Sequence, residues 1–244
     1  MLRARRIEER AGESMQGFSG EVPLTKIFEE CIGDPALAPH IEVVRKWALE
    51  YLCAPHPDLG RGGPVCPFTS SSLSKELFWL GCVDDPTLDA GRICGIMDRI
   101  VERYATLEAP REHDALLKTV LVLFPGVKDF GIIDAAQLRL KSKFVAQGLM
   151  IGQFYPGCAE PGLWSKSFHP LDSPIPLLAI RHMVSSDFPF LAHEARWVES
   201  YFRRFAPSIP APVRDSIVAK LTEPGETYVS DVRLERSAKK GSLL

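Results

Sequence analysis

The sequence predicts a single α+β domain in which helices flank a mixed or antiparallel sheet. Three observations lead to this expectation. Several segments repeat apolar residues every three or four positions, as amphipathic helices do. Between these segments lie short apolar runs, bounded by Pro, Gly or Asp, that are typical of buried strands. The last two runs are joined by a loop and not by a helix, which favours antiparallel pairing at that side of the sheet.

Composition narrows the class of protein. The chain has 244 residues, is 45% hydrophobic and 25% charged, and carries a formal net charge of −2. It lacks the basic field on which non-specific nucleic-acid binding depends. No apolar run approaches the roughly 20 residues that span a bilayer, and the N-terminus lacks the apolar core of a secretory signal. We therefore expect a cytoplasmic protein that binds neither nucleic acid nor membrane.

The first half of the chain is expected to hold two helices and a strand. Residues 1–20 are charged and aperiodic, so we expect them to be mobile. A short helical turn is expected at 26–32. A helix at 39–52 follows from a stripe of apolar residues, Ile41, Val44, Trp47 and Tyr51. The apolar run 77–83 predicts a buried strand. Acidic residues before a proline then predict the start of a helix over 87–107, at Asp84, Asp85 and Pro86.

The second half alternates strands with helices. Strands are expected where β-branched and apolar residues concentrate, at 116–124, 149–154 and 176–184. Helices are expected where apolar stripes recur, at 131–147, 187–205 and 213–221. Gly148 is the expected C-cap of the first of these helices. We place one domain at 21–221 and a flexible polar tail at 222–244.

Two proline-rich loops are not explained by periodic packing. The first loop, residues 54–68, carries His56, Asp58, Arg61 and Cys66. It is either a surface connection whose polar residues cap neighbouring helices or one wall of a ligand site. The second loop, residues 155–176, is rich in Pro, Gly and aromatic residues and joins two predicted strands. Loops held at both ends by a scaffold are frequent carriers of function.

Sequence motifs exclude several common chemistries. No dinucleotide-binding, P-loop, nucleophile-elbow or zinc-protease motif is present. The six cysteines form no CxxC pair, so neither a zinc site nor a disulfide framework is expected.

Histidine and arginine residues remain as candidates. His182 follows Arg181 on a predicted strand, where neighbouring side chains point to opposite faces. Only one of the two should therefore enter a given pocket. His182 is either a structural residue or a ligand, and His56 and His169 lie in the two loops.

Four segments resemble proteins of a known family. They are His56–Arg61, Gly63–Phe68, Gly152–Gly157 with Pro161–Trp164, and Ser173–Met183. They look like a family from actinobacterial natural-product gene clusters, over roughly residues 35–205. Phe168-His169-Pro170 and Ile180-Arg181-His182 are distantly similar to the layout of small heme-dependent N-oxygenases. These hydroxylate amino-acid nitrogens, as does the arginine N-hydroxylase type of D-cycloserine biosynthesis.

The resemblance implies heme b and hydroxylation of an amino-acid nitrogen, with the guanidino group of arginine favoured. His182 would bind the iron, with His56 or His169 as alternatives and a Cys66 thiolate as a further one. Arg61 and Arg181 would contact the heme propionates or the substrate carboxylate. Trp164 and Phe154 would supply apolar walls. The implied partners are an amino acid or another small molecule, oxygen or peroxide, and an electron donor, and a homodimer is one option for the assembly.

Two other classes of function stay open. The chain could be a cofactor-free enzyme or a small-molecule-binding protein that uses His56, Asp58 and Cys66 for acid–base or nucleophilic chemistry. It could also be an interaction protein without chemistry. For the site, we expect the two loops to face each other across one pocket, with His182 as its reactive residue.

Overall fold

A computed structural model describes residues 21–30, 35–207 and 209–222. The expected mobile segment 1–20, and the expected flexible tail apart from Thr222, lie outside the described residues. The chain divides into two compact units, 1–184 and 185–244, which are described separately. The expectation of one domain over 21–221 stays a prediction.

The first unit is built on a five-stranded mixed sheet. Its strands are β1 Thr25–Lys26, β2 Phe78–Cys82, β3 Thr119–Leu123, β4 Leu149–Phe154 and β5 Leu177–His182. Their order across the sheet is β1-β2-β3-β5-β4. β2 and β3 are parallel, whereas the pairs β1–β2, β3–β5 and β4–β5 are antiparallel. The predicted α+β class and mixed sheet are therefore confirmed.

Two helices cover one face of the sheet, which we call face A. Helix α3, Ala90–Thr106, connects β2 to β3, and such a crossover is what a parallel pair requires. Helix α4, Gly131–Ala146, leads from β3 to β4. Both helices bury their apolar stripes against the strand residues that point to this face: Trp79, Val120, Val122, Leu149, Ile151, Leu178 and Ile180.

The opposite face, face B, carries the two loops and the remaining helices of the unit. Helix α1, Ile41–Trp47, continues as a π-helical turn, Ala48–Leu52. Helix α2, Thr69–Ser74, follows the first loop. Apolar residues of these helices and of both loops pack on the strand residues that point to face B: Phe78, Leu80, Cys82, Leu121, Leu123 and Leu177.

The second unit is helical in its described part. A 3-10 helix, Ser185–Phe190, precedes α5, Ala195–Phe205, and α6, Ala211–Leu221. The hydroxyl of Tyr201 donates to the carbonyl of Ser185 at 2.8 Å, and its ring lies 5.2 Å from that of Phe188. In the described parts of both units, no helix is long and apolar enough to cross a membrane.

Four boundaries differ from the sequence prediction. Lys26, the first residue of the helical turn expected at 26–32, belongs with Thr25 to strand β1, because their backbone pairs with β2 at the edge of the sheet; residues 31–32 lie outside the described residues. Residues 112–117 are a 3-10 helix, so β3 begins at Thr119. Helix α3 begins at Ala90, because the carboxylate of Asp89 accepts the N–H of Arg92. Residues 185–190 are 3-10 and α5 begins only at Ala195.

Candidate functional site

The two loops meet on face B in direct contact. The backbone of Gly60 lies so close to that of Trp164 that an added Cβ would be 2.5 Å from the Trp164 carbonyl oxygen. The imidazole ring of His56 lies 4.6 Å from the ring of Phe168, centroid to centroid. The expectation that the loops face each other therefore agrees with the structure, but at these contacts they touch and do not line a gap.

Helix α1 fixes the second loop through two side-chain hydrogen bonds. The indole Nε1 of Trp47 donates to the carbonyl of Asp172 at 3.1 Å. One turn later, the hydroxyl of Tyr51 donates to the carbonyl of His169 at 3.2 Å. Burial, with the negative charge of Asp172, raises the pKa of Tyr51 to about 12. The phenol therefore remains a donor throughout the physiological pH range.

A chain of aromatic rings links the sheet to the first loop. Phe154 at the end of β4 meets Trp47 edge-on at 5.7 Å, and Trp47 stacks with Tyr51 at 6.3 Å. Tyr51 lies 6.4 Å from Phe168, which in turn contacts His56. Offset and edge-to-face ring pairs of this kind add to burial. The last of these contacts, between Phe168 and His56, packs the second loop against the first.

The second loop is closed at its neck. The N–H of Tyr155 donates to the carbonyl of Leu171 at 3.3 Å, and the N–H of Ser173 donates back to the carbonyl of Tyr155 at 3.4 Å. These bonds form a parallel bridge between Tyr155 and Asp172. The hydroxyl of Tyr155 also donates to the carboxylate of Asp134 on α4 at 2.9 Å. The ends of this loop are therefore fixed to each other and to a helix.

His56 is a positioned imidazole. Its Nδ1 accepts the backbone N–H of Asp58 at 3.2 Å and lies 3.9 Å from the Asp58 carboxylate. Its side chain is 36% exposed. Because Nδ1 accepts a hydrogen bond from the backbone, the neutral ring carries its proton on Nε2. Among the described residues Nε2 has no hydrogen-bond partner, so this nitrogen is available to a ligand.

Arg61 and Cys66 are built into the first loop. The guanidinium of Arg61 donates to the carbonyls of Gly62 and Val65, both at 3.0 Å, and so closes its own turn. Cys66 is half-buried beside Cys53, and burial together with the neighbouring Cys66 raises the pKa of the Cys53 thiol.

His169 and Trp164 differ in their surroundings. The Nδ1 atom of His169 is buried, and within the described part of the chain it has no hydrogen-bond partner. Trp164 remains 46% exposed, although its backbone makes the close contact with Gly60.

Arg181 and His182 point to opposite faces of the sheet. The guanidinium of Arg181 lies over the ring of Phe68 on face B, 5.3 Å from its centroid. The ring of His182 meets Tyr104 of α3 on face A at 5.4 Å. Because side chains alternate along a strand, only one of the two was predicted to point towards the loops. In the structure that side chain is Arg181. His182 and the loop residues are therefore not brought into one pocket.

Sequence comparison places the chain in a family. The model for a domain of unknown function (DUF6875) matches residues 41–216. The chain belongs to the DUF6875 family. No curated protein and no solved structure matches it.

A heme held by His182 and walled by the two loops does not fit this DUF6875 chain. His182 lies on face A, whereas Phe154, Trp164 and Phe168 belong to face B and its loops. Phe154 and Phe168 also pack against other rings of the aromatic chain. We therefore derive no chemical step through a heme.

Sequence reasoning missed the buried Lys118, which packs against Tyr104, the ring partner of His182. The ammonium of Lys118 is buried and donates to the carbonyls of Tyr104 and Leu107, both at 3.0 Å, and burial lowers its pKa. The hydroxyl of Tyr104 donates back to the carbonyl of Lys118 at 2.9 Å. These hydrogen bonds join the end of α3 to the start of β3. In the sequence, the position of Lys118 directly before a β-branched run was the one signal that could have indicated this contact.

Proposed function

We propose that the junction of the two loops binds a small molecule, with the Nε2–H group of His56 as a hydrogen-bond donor to it. The orientation of the His56 ring carries this proposal. Phe168 holds the ring from one side and the Asp58 backbone holds Nδ1, which leaves Nε2 for a ligand.

The surroundings of His56 prepare its ring to donate a hydrogen bond. In the neutral ring, Nδ1 accepts the Asp58 N–H at 3.2 Å, so the proton lies on Nε2. Nε2 can therefore donate to an acceptor atom of a bound ligand, such as a carboxylate oxygen. This supports binding of a small molecule that carries such an acceptor.

An amino acid is the proposed class of ligand, because the sequence resemblance concerns enzymes that act on amino-acid nitrogens. The test is a thermal-shift screen of the purified full chain against the common amino acids, L-arginine included, followed by calorimetric titration. A ligand that binds only the folded protein raises its Tm. Replacing His56 by Ala should weaken binding about tenfold, the effect of one lost hydrogen bond to a ligand.

His113→Ala is the matched control for His56→Ala. His113 has a 70% exposed side chain and pairs with Asp114 on the 3-10 helix Glu112–Leu117, which belongs to neither loop. Its replacement should leave the affinity unchanged. If no amino acid raises the Tm of the wild type, or if His56→Ala binds as tightly as the wild type, the proposed site is wrong.

Heme-dependent N-hydroxylation stays a second proposal, because segments that carry the resemblance meet in space. Gly60 contacts Trp164, and Arg181 covers Phe68. Hemin titration of the purified chain, followed by absorption spectroscopy, tests it: a saturable Soret band is expected. His56→Ala and His169→Ala would then show which loop histidine binds iron. A chain that takes up no hemin would end this proposal and leave the one on His56 untouched.

A further inference from the structure

We infer that Cys53 and Cys66 form a reversible disulfide that fastens the first loop to the end of helix α1. This inference does not depend on the proposed function of the junction. It rests on where the backbone places the two cysteines, which are far from a CxxC spacing in the sequence.

Backbone hydrogen bonds bring the two cysteines together. The N–H of Val65 donates to the carbonyl of Ala54 at 2.9 Å, next to an antiparallel bridge between Pro55 and Pro64. The N–H of Cys66 donates at 2.8 Å to the carbonyl of Leu52, the residue before Cys53. The two hydrogen bonds therefore join the residues on either side of Cys53 to Val65 and Cys66, and they hold the backbones of the two cysteines side by side, as a disulfide requires.

Both backbones are held in place. The N–H of Cys53 donates to the carbonyl of Ala48 at 3.0 Å in the π-helical turn, and the turn of the first loop is closed by Arg61. Both thiols are half-buried, so neither is sealed in the core. Burial, and secondly the neighbouring Cys66, raise the pKa of the Cys53 thiol. The remaining described cysteines, Cys82, Cys94 and Cys158, lie on other elements.

The oxidant is a low-molecular-weight disulfide such as oxidised glutathione. One protein thiolate attacks a sulfur of the oxidant, forms a mixed disulfide and releases one thiol. The second protein thiolate attacks the protein sulfur of that mixed disulfide and releases the second thiol. Two protein thiols and one small disulfide thus give one protein disulfide and two small thiols. Excess dithiol reverses the reaction.

Peptide mapping of the full chain tests this inference. Trypsin cleaves after Lys46, Arg61 and Lys75, so Cys53 lies in peptide 47–61 and Cys66 in peptide 62–75. The chain is equilibrated with oxidised glutathione, remaining thiols are alkylated, and the digest is measured without reductant. We expect the two peptides joined, with a mass lower than their sum by two hydrogen atoms, and separated again after dithiothreitol.

Variants supply the controls. Cys94→Ser should keep the joined peptides, whereas Cys53→Ser and Cys66→Ser should each lose them. If either serine variant fails to fold, the peptide map of the wild type still tests the inference by itself. Alkylation of both cysteines after oxidation, or glutathione on either one without the joined pair, would overturn the inference.

Discussion

At Gly60 the backbone of the first loop lies against the backbone of the second. Its φ of +75° is left-handed, a conformation that glycine adopts at little cost and other residues rarely adopt. The carbonyl of Trp164 occupies the space where a side chain would begin. Close approach and backbone conformation therefore both require glycine here.

We predict that Gly60→Ala lowers the free energy of unfolding by about 1–3 kcal/mol, because strain in the left-handed region adds to a clash with backbone. Denaturant unfolding measures it. Gly62→Ala is the matched control: no atom lies within 4 Å of its added Cβ. The control should change stability by less than about 1 kcal/mol. Equal effects of the two substitutions would mean that the loops do not touch at Gly60.

Tyr51 gives a prediction in alkaline solution. Its pKa is about 12 in the folded chain and about 10 when unfolded, so between these values the folded state holds a proton that the unfolded state has lost. The stability that Tyr51 contributes is therefore constant below about pH 10 and falls as the pH rises towards 12.

The advantage of the wild type over Tyr51→Phe should accordingly shrink between about pH 10 and 12, after remaining flat at lower pH. Denaturant unfolding of both proteins across this range measures it. Tyr155 and Tyr201 are present in both proteins and cancel in the difference. A difference that stays constant up to about pH 12 would contradict burial of the Tyr51 hydroxyl.

At the scale of helices and strands, apolar periodicity was sufficient to predict the bounds of each element that buries one continuous stripe of apolar residues. Helix α4 and strands β4 and β5 lie within a few residues of their predicted bounds for that reason. Helix α2 was not predicted, because its sequence TSSSLS is short and mostly polar. It forms through tertiary contacts, such as the Ser72 hydroxyl donating to the carbonyl of Leu77 at 2.9 Å.

The start of α3 supports a prediction about capping. Asp89 accepts the N–H of Arg92 at 2.8 Å and so satisfies one of the first amides of the helix. Asp89→Ala should lower the free energy of unfolding by about 1 kcal/mol. Asp84→Ala is the control, since Asp84 is an exposed acidic residue upstream of the cap. A larger loss at Asp84 would restore the earlier start of α3 that the sequence favoured.

At the scale of the whole molecule, the sheet separates two groups of side chains. The sequence could show that Arg181 and His182 point apart, because strand neighbours alternate. It could not show which face each occupies, because that depends on which helices and loops later cover the sheet. The same limit applies to Cys53 and Cys66, since only the folded first loop aligns them.

Hydrogen exchange should report this arrangement. β3 lies between β2 and β5 and is covered on both faces, so amides 119–123 should exchange only through global unfolding. Edge residues 25–26 and loop residues 57–63 should exchange earlier, through local opening. Mass spectrometry of peptides under native conditions measures the order. Exchange in β3 as fast as in β1 would argue against this strand order.

The closed neck of the second loop has a consequence for how this family can diversify. Because Tyr155 and Asp172 join its two ends, β4 and β5 are held together by bonds that lie outside the loop's tip. Ala159, Glu160 and Pro161 at the tip are exposed. Evolution, or an engineer, can therefore change the length and charge of that tip while the hairpin beneath keeps its register.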